Sequence, residues 1–203
     1  MRLAIVDYGM GNLHSLVGAI NHVSQAEVIV TSNPNELGQA DKLFLPGVGH
    51  FAEAMLRIKK NKIDVTLKKL VVEQGRPILG ICLGMQILGK SSDEGGNNNG
   101  LGFIDGYVEK FHGYEIRVPH VGYNQVMVKS VNRLYRNLPD NSDFYFTHSH
   151  RMISNSNIGQ SNCEYGDLFV ASFEYENIAG VQFHPELSQR NGLSLIKNFI
   201  DIF

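Results

Sequence analysis

Short apolar runs alternate with amphipathic stretches through the first half of the chain. Leu3 to Val6 has the pattern of a buried strand. The glycine turn "DYGMGN" follows it, and then Leu13 to Val23, where apolar residues recur at helical spacing. Glu27 to Thr31 and Lys42 to Leu45 predict further strands, the second ending at "PGVG". Phe51 to Gln74 is helical in pattern, although Val65 and Thr66 are poor helix formers. Ile78 to Ile81 predicts a fourth strand, and Leu83 to Leu88 opens another helix.

Strand, turn and helix in repetition predict an α/β fold, a doubly wound and mostly parallel sheet flanked by helices. Such sheets bind ligands outside the carboxyl ends of their strands. The glycine turns at Gly9–Gly11, Gly47–Gly49 and Gly80–Gly84 each follow a strand directly, so convergence on one sheet edge is expected. The second half changes character. Ser91 to Gly100 ("SSDEGGNNNG") is a polar, glycine-rich loop, expected to be the most mobile part of the chain. Gly102 to Val131 and Phe144 to Val181 hold short β-like runs between turns, which predicts a small antiparallel portion. Gly192 to Ile202 reads as a closing amphipathic helix. No linker-like shift in composition and no internal repeat interrupts residues 1–203, so one domain is expected.

Composition narrows the function classes. At 203 residues and 43% hydrophobic, the chain can bury a core that holds a site without disulfides. Its net charge of −2 supplies no basic field for nucleic acid or anionic lipid. The N-terminal apolar run is too short to span a membrane, and Asp7 follows it at once, unlike a signal peptide. Two cysteines, Cys82 and Cys163, make no disulfide framework, so a reducing cytoplasm is the expected location.

The candidate chemistry centres on Gly80-Ile81-Cys82-Leu83-Gly84. This G-x-C-x-G has the spacing of the G-x-S-x-G nucleophile elbow, a sharp strand-to-helix turn that lifts its central side chain over the sheet. Larger flanking side chains would collide with the tight backbone. A cysteine there meets a helix N-terminus, whose dipole favours the thiolate, and the Leu83 N–H is placed for a developing oxyanion. The motif alone does not separate a nucleophile from a small buried core residue. A nucleophile needs a base, and the base an orienting partner. Among eight histidines, His184 ends an apolar strand in "GVQFHPELS", where Pro185 turns the chain before Glu186. By itself that tripeptide reads better as a strand-terminal histidine beside an exposed glutamate. Cys163 reads as a free thiol in a polar turn, and "DYGMGN" lacks the third glycine of a dinucleotide fingerprint.

Taken together, "GICLGMQ" and "GVQFHPE" resemble the class I glutamine amidotransferases, which hydrolyse glutamine to glutamate and ammonia with a Cys-His-Glu triad. "VDYGMGNLHS", "LPGVGHF", "VPHVGYNQV", "YFTHS" and "CEYG" extend the likeness over nearly the whole chain, towards the glutaminase subunit branch of imidazole glycerol phosphate synthase. The resemblance implies Cys82 as nucleophile, His184 as general base and then acid, and Glu186 as its orienting partner. It implies that the backbone at Gly47, Val48 and Gly49 joins Leu83 in holding the oxyanion and doubles as a switch. Gln86, Glu94, His148 and Ser149 match positions around the bound glutamine. Asn12, Tyr123, Tyr145 and Leu187 fall on the side that faces a partner, a (β/α)8 barrel cyclase that takes up the ammonia in a heterodimer. No metal and no cofactor are implied.

Three positions depart from the family pattern: Leu187 replaces a lysine, Tyr123 a tryptophan, and His150 the tyrosine of "HSY". All three are expected on the partner-facing side. They leave open a paralogue that supplies ammonia for amidating a surface-polysaccharide sugar precursor. Readings from other classes are a cysteine hydrolase that channels nothing and a non-catalytic scaffold.

Overall fold

A computed structural model describes residues 1–112, 116–128 and 132–203. The first half runs β1 (Arg2–Val6), α1 (Leu13–Val23), β2 (Glu27–Thr31), α2 (Pro34–Gly38), β3 (Lys42–Gly47), α3 (Phe51–Lys60) and α4 (Ile63–Leu67). A π-helical segment, Lys68–Glu73, leads into β4 (Ile78–Cys82) and the short α5 (Leu83–Ile87). The second half runs β5 (Ser91–Ser92), β6 (Asn98–Asn99), β7 (Tyr107–Lys110), β8 (His120–Val126), β9 (Ser142–His148), β10 (His150–Ile153) and β11 (Gln160–Tyr165). It ends with β12 (Asp167–Tyr175), β13 (Ile178–Val181), a 3-10 turn at Pro185–Leu187, and α6 (Gln189–Asp201).

The parallel strands lie in the order β2-β1-β3-β4-β13, and the same sheet continues through β12, β10 and β7 to β5 and β6. β11 pairs with β12, while β8 and β9 form a separate antiparallel pair. Every residue of β4 and β13 is buried, as expected of central parallel strands covered on both faces. One covering layer includes α1 and α6, whose stripes of Leu16, Ala19 and Ile20 and of Leu195, Ile196, Phe199 and Ile200 face the sheet. The other includes α3, α4 and α5.

Most expected elements stand, with instructive shifts. The stretch from Phe51 to Gln74 is not one helix: it breaks after Lys60, and Lys62 takes a positive φ of 55°. Buried Ile58 and Ile63 are five residues apart, off the helical period, and the break re-aims Ile63, Leu67, Leu70 and Val71 into the core. α2 was not predicted; Asn33 caps it by accepting from the Asn35 N–H, with Pro34 at its first position. The Ser91–Gly100 loop contains a small hairpin, β5 pairing with β6. The β-like run from Gly102 reaches Val131, and residues 113–115 and 129–131 of it lie outside the described residues. The largest correction concerns β13, which is not part of the antiparallel portion on both sides. It pairs in parallel with β4, Val181 opposite Ile81, and so carries the chain back to the centre of the sheet.

Candidate active site

β3, β4 and β13 end side by side, and the site is built on those three ends. Cys82 closes β4 and immediately precedes α5, with φ 53° and ψ −112°. That conformation is costly for a residue with a Cβ, of order 1–3 kcal/mol, and persists only where surrounding packing fixes it. Here the flanking glycines allow it. A Cβ on Gly84 would collide with the Leu45 carbonyl of β3, and one on Gly80 would sit 2.8 Å from Met85 Cα. The elbow therefore presses α5 against the strands and turns the Cys82 thiol outwards. Cys82 is 6% exposed and lines a cavity of about 330 Å³.

His184 lies three residues beyond Val181, where the pairing of β13 with β4 ends. Its main chain is pinned on both sides: its N–H donates to the Tyr145 carbonyl (2.8 Å), and its carbonyl accepts from Ser188 Oγ (2.6 Å). Phe183, fully buried and stacked on Phe144 at 4.0 Å, anchors the approach; burying such a ring stabilises by about 2–3 kcal/mol. The Pro185–Leu187 turn brings Glu186 back, so that its Oε1 lies 2.8 Å from His184 Nδ1. Nδ1–H thus donates to the carboxylate, leaving Nε2 buried and without a hydrogen-bond partner among the described residues. Burial by itself pushes the His184 imidazole down. Interaction with Cys82 and Glu186 overrides it, and the pKa is raised to about 10. A proton is therefore held next to Cys82, while the Tyr8 hydroxyl behind it is pushed up by burial and then by the Cys82 charge.

The remaining predicted residues separate by location. Val48, Gly49, Leu83, Gln86, Glu94, His148 and Ser149 line the cavity with Cys82. Gly47 is buried beside it, in register with Cys82 and against the Tyr8 hydroxyl. Gln86 is buried, its Nε2 donating to the His150 carbonyl (3.0 Å) and to Gln182 Oε1 (2.9 Å). Glu94 accepts from the Phe51 N–H at the start of α3 (2.7 Å) and leaves Oε1 3.4 Å from the His150 ring. His148 faces the cavity with both ring nitrogens engaged, Nδ1 with the His150 carbonyl (2.8 Å) and Nε2 with His120 Nδ1 (3.1 Å). His120 is itself stacked between Phe146 and Tyr165. Burial lowers these two imidazoles to about 3 for His148 and about 4 for His120, keeping the pair neutral.

A model of the glutamine amidotransferase class-I family matches residues 4–202. The chain belongs to that family. Imidazole glycerol phosphate synthase subunit HisH 2 of Vibrio vulnificus (strain YJ016) is 46% identical over 202 residues, covering 99% of this chain and 94% of that protein. The subunit HisH of Aquifex aeolicus is 38% identical over 200 residues, covering 98% and 96%. Among solved structures, a glutamine amidotransferase from Thermotoga maritima superposes with a TM-score of 0.64 at 20% identity, covering 98% of this chain and 82% of that one. At that identity it speaks for the shared amidotransferase fold alone.

Two expectations need correcting for this amidotransferase. His150 does not face outwards with Tyr123 and Leu187: it lines the cavity, 3.4 Å from Glu94 and 3.8 Å from Asp93. Strand alternation is the reason, since β10 starts at His150 and turns that ring towards β5 and its loop. Cys163 is not in a polar turn but on β11, fully buried, and burial pushes its thiol up to about 12. Tyr123 and Leu187 are exposed and joined, the Tyr123 hydroxyl donating to the Leu187 carbonyl (2.9 Å). Tyr145 is half-buried beside Tyr123, and Asn12 is half-buried at the N-cap of α1. One residue at the site escaped sequence reasoning. Gln182, two positions before His184 in "GVQFHPELS" and so on the same face of an extended strand, reaches Cys82 Sγ (3.7 Å). No helix among the described residues is long and apolar enough to cross a membrane.

Proposed function

We propose that this chain is the glutaminase subunit of an imidazole glycerol phosphate synthase, releasing ammonia for a (β/α)8 cyclase partner in a cytoplasmic heterodimer. The observation that carries the reading is the arrangement of Cys82, His184 and Glu186 at the ends of two adjacent parallel strands, with Cys82 on the wall of a cavity and the side chains of the His184–Glu186 pair buried behind it. Relatives named for that synthase, matching over nearly the full chain, support the choice of pathway.

Chemically, the Cys82 thiolate attacks the side-chain amide carbon of glutamine, and the carbonyl electrons move to oxygen. The Leu83 N–H and the Val48–Gly49 backbone are the donors for that oxyanion. His184 Nε2 gives its proton to the departing nitrogen, so the C–N bond breaks to ammonia and a glutamyl thioester. Water then loses a proton to His184 as it attacks the thioester, and glutamate leaves with the thiolate restored. Gln86 and Glu94 offer acceptors in the cavity for the amino group of the amino acid. Ammonia gains a proton and loses its nucleophilicity in bulk water, which is why a docked acceptor enzyme is needed.

Exposed Leu187, where the family resemblance leads one to expect lysine, favours a second reading: the same hydrolysis feeding amidation of a polysaccharide sugar precursor. Complementation decides. Expression in a histidine auxotroph lacking its glutaminase subunit restores growth, Cys82→Ala does not, and added ammonium rescues the variant. No growth with wild-type chain, against retained glutaminase activity with a partner isolated from the native source, moves the assignment to the second pathway.

A further inference from the structure

We propose that Gln182 is a further functional side chain of this site: its amide donates to the Cys82 sulfur and holds it as a thiolate, while its carbonyl oxygen sets the orientation of Gln86. The proposal rests on the reading of Cys82 as the nucleophile.

Gln182 follows β13 directly and, by continuation of the Val181–Ile81 register, lies beside Cys82. It is fully buried. A buried amide is costly unless its donors and acceptor are used, and here its partners fix which end is which. The His150 carbonyl can only accept, and it lies 3.0 Å from the Gln86 side-chain nitrogen. That nitrogen also donates to Gln182 Oε1 at 2.9 Å. With its oxygen committed to Gln86, Gln182 has its NH2 group left for Cys82 Sγ, 3.7 Å away. Polarity therefore runs one way, from the sulfur through two amides to a main-chain carbonyl, and neither amide can flip without setting donor against donor or acceptor against acceptor. His148 Nδ1, 2.8 Å from the same carbonyl, holds the far end.

A donor aimed at sulfur stabilises S⁻ relative to S–H. The thiol form has its own acceptor, the Thr147 carbonyl at 3.9 Å, so Gln182 biases the choice between the two. Among the described residues, the titratable groups around Cys82 are His184, with Glu186 behind it, the buried Tyr8 hydroxyl, and His148, Glu94 and His150 on the cavity wall. Gln182 acts alongside them without changing charge, so its contribution is present at every pH. The same chain leaves Gln86 Oε1 for the cavity, and one buried amide thereby sets a nucleophile and an acceptor for substrate together.

The test is the pH dependence of Cys82 alkylation by iodoacetamide in the full chain, read by mass spectrometry on the Cys82 peptide. In Gln182→Met, close in volume but without donor or acceptor, the midpoint is expected to rise by about one pH unit, as for one hydrogen bond to a charged group. Gln182→Asn, which withdraws the donor by one methylene, should shift it the same way. In the wild-type chain, which needs no variant to fold, the Gln182 side-chain amide NMR signals should move with the alkylation midpoint. Unmoved midpoints in folded variants, or amide signals that ignore the thiol titration, overturn the proposal. Failure of the nucleophile reading looks different: Cys82→Ala would keep hydrolysing glutamine, whereas the alkylation midpoints are read without glutamine.

Discussion

Replacing Glu186 with glutamine removes a charge and almost no volume. The carboxylate sits 2.8 Å from His184 Nδ1, and the two side chains are only 3% and 5% exposed. A buried hydrogen bond with an ionised partner contributes about 1.5–3 kcal/mol, and if it strengthens as His184 becomes imidazolium, its loss lowers kcat roughly 10- to 150-fold. The variant should also differ in its pH profile. Glu186 is among the groups that raise His184 to about 10 against the opposing effect of burial. Removing an anion disfavours the cation, so the alkaline limb of kcat/KM, where His184 loses the proton meant for ammonia, moves to lower pH. Stability should move little, because Glu186 Oε2 has no hydrogen-bond partner among the described residues and an ionised oxygen there brings its own cost. Glutamate release by the complex, followed across pH, and thermal unfolding measure all three. A variant within twofold of wild type, with an unmoved alkaline limb, refutes the view that Glu186 orients and charges His184.

Gly84→Ala places a methyl group into the Leu45 carbonyl, so thermal unfolding should report a loss of about 1–3 kcal/mol together with slower Cys82 alkylation; an unchanged melting temperature would count against the packed elbow. His120 and His148 should stay neutral at pH 5.5 by imidazole NMR, in keeping with values of about 4 and about 3. Because these are lowered from 6.5, the stability they contribute is complete above that pH and drains as pH falls towards them, by up to about 1.4 kcal/mol per pH unit for each ring; denaturant titrations show it as a loss between pH 6.5 and 4, and a ring already charged at pH 5.5 would contradict the neutral pair. Cys163→Ala should leave the rate and midpoint of Cys82 alkylation unchanged, since the Cys163 thiol is sealed in the core; reagent appearing on Cys163 in the native protein would show otherwise.

Much of the parallel sheet was legible because central strands must be apolar throughout, and Leu3–Val6 and Ile78–Ile81 have no other favourable place. The elbow was legible because its two glycines answer a purely local demand. The triad was legible only in combination, since the strand identity of Ile178–Val181 depends on pairing with residues a hundred positions earlier, which no local pattern records. The break at Lys62 was hidden for a related reason: it corrects the phase of a hydrophobic stripe, and phase is defined only against the surface it packs on. The cavity-facing position of His150 was hidden because it is a single ring at a strand start, and Gln182 escaped as an ordinary glutamine. Their meaning comes from the atoms opposite them.

The parallel pairing of β4 with β13 also separates catalysis from the rest of the fold. Cys82 and His184 meet because two short strands share a register, with Phe144 and Tyr145 of β9 the support contributed by the chain between them. The outer surface of that long excursion, with its exposed Tyr107 and Tyr123, is free to be rewritten without altering the spacing of Cys82 and His184, as is the exposed Leu187 just beyond them. A one-residue slip in β13 would abolish the chemistry, while wholesale change on the excursion's outer surface would redirect the ammonia. Such a chain can change its customer and keep its reaction.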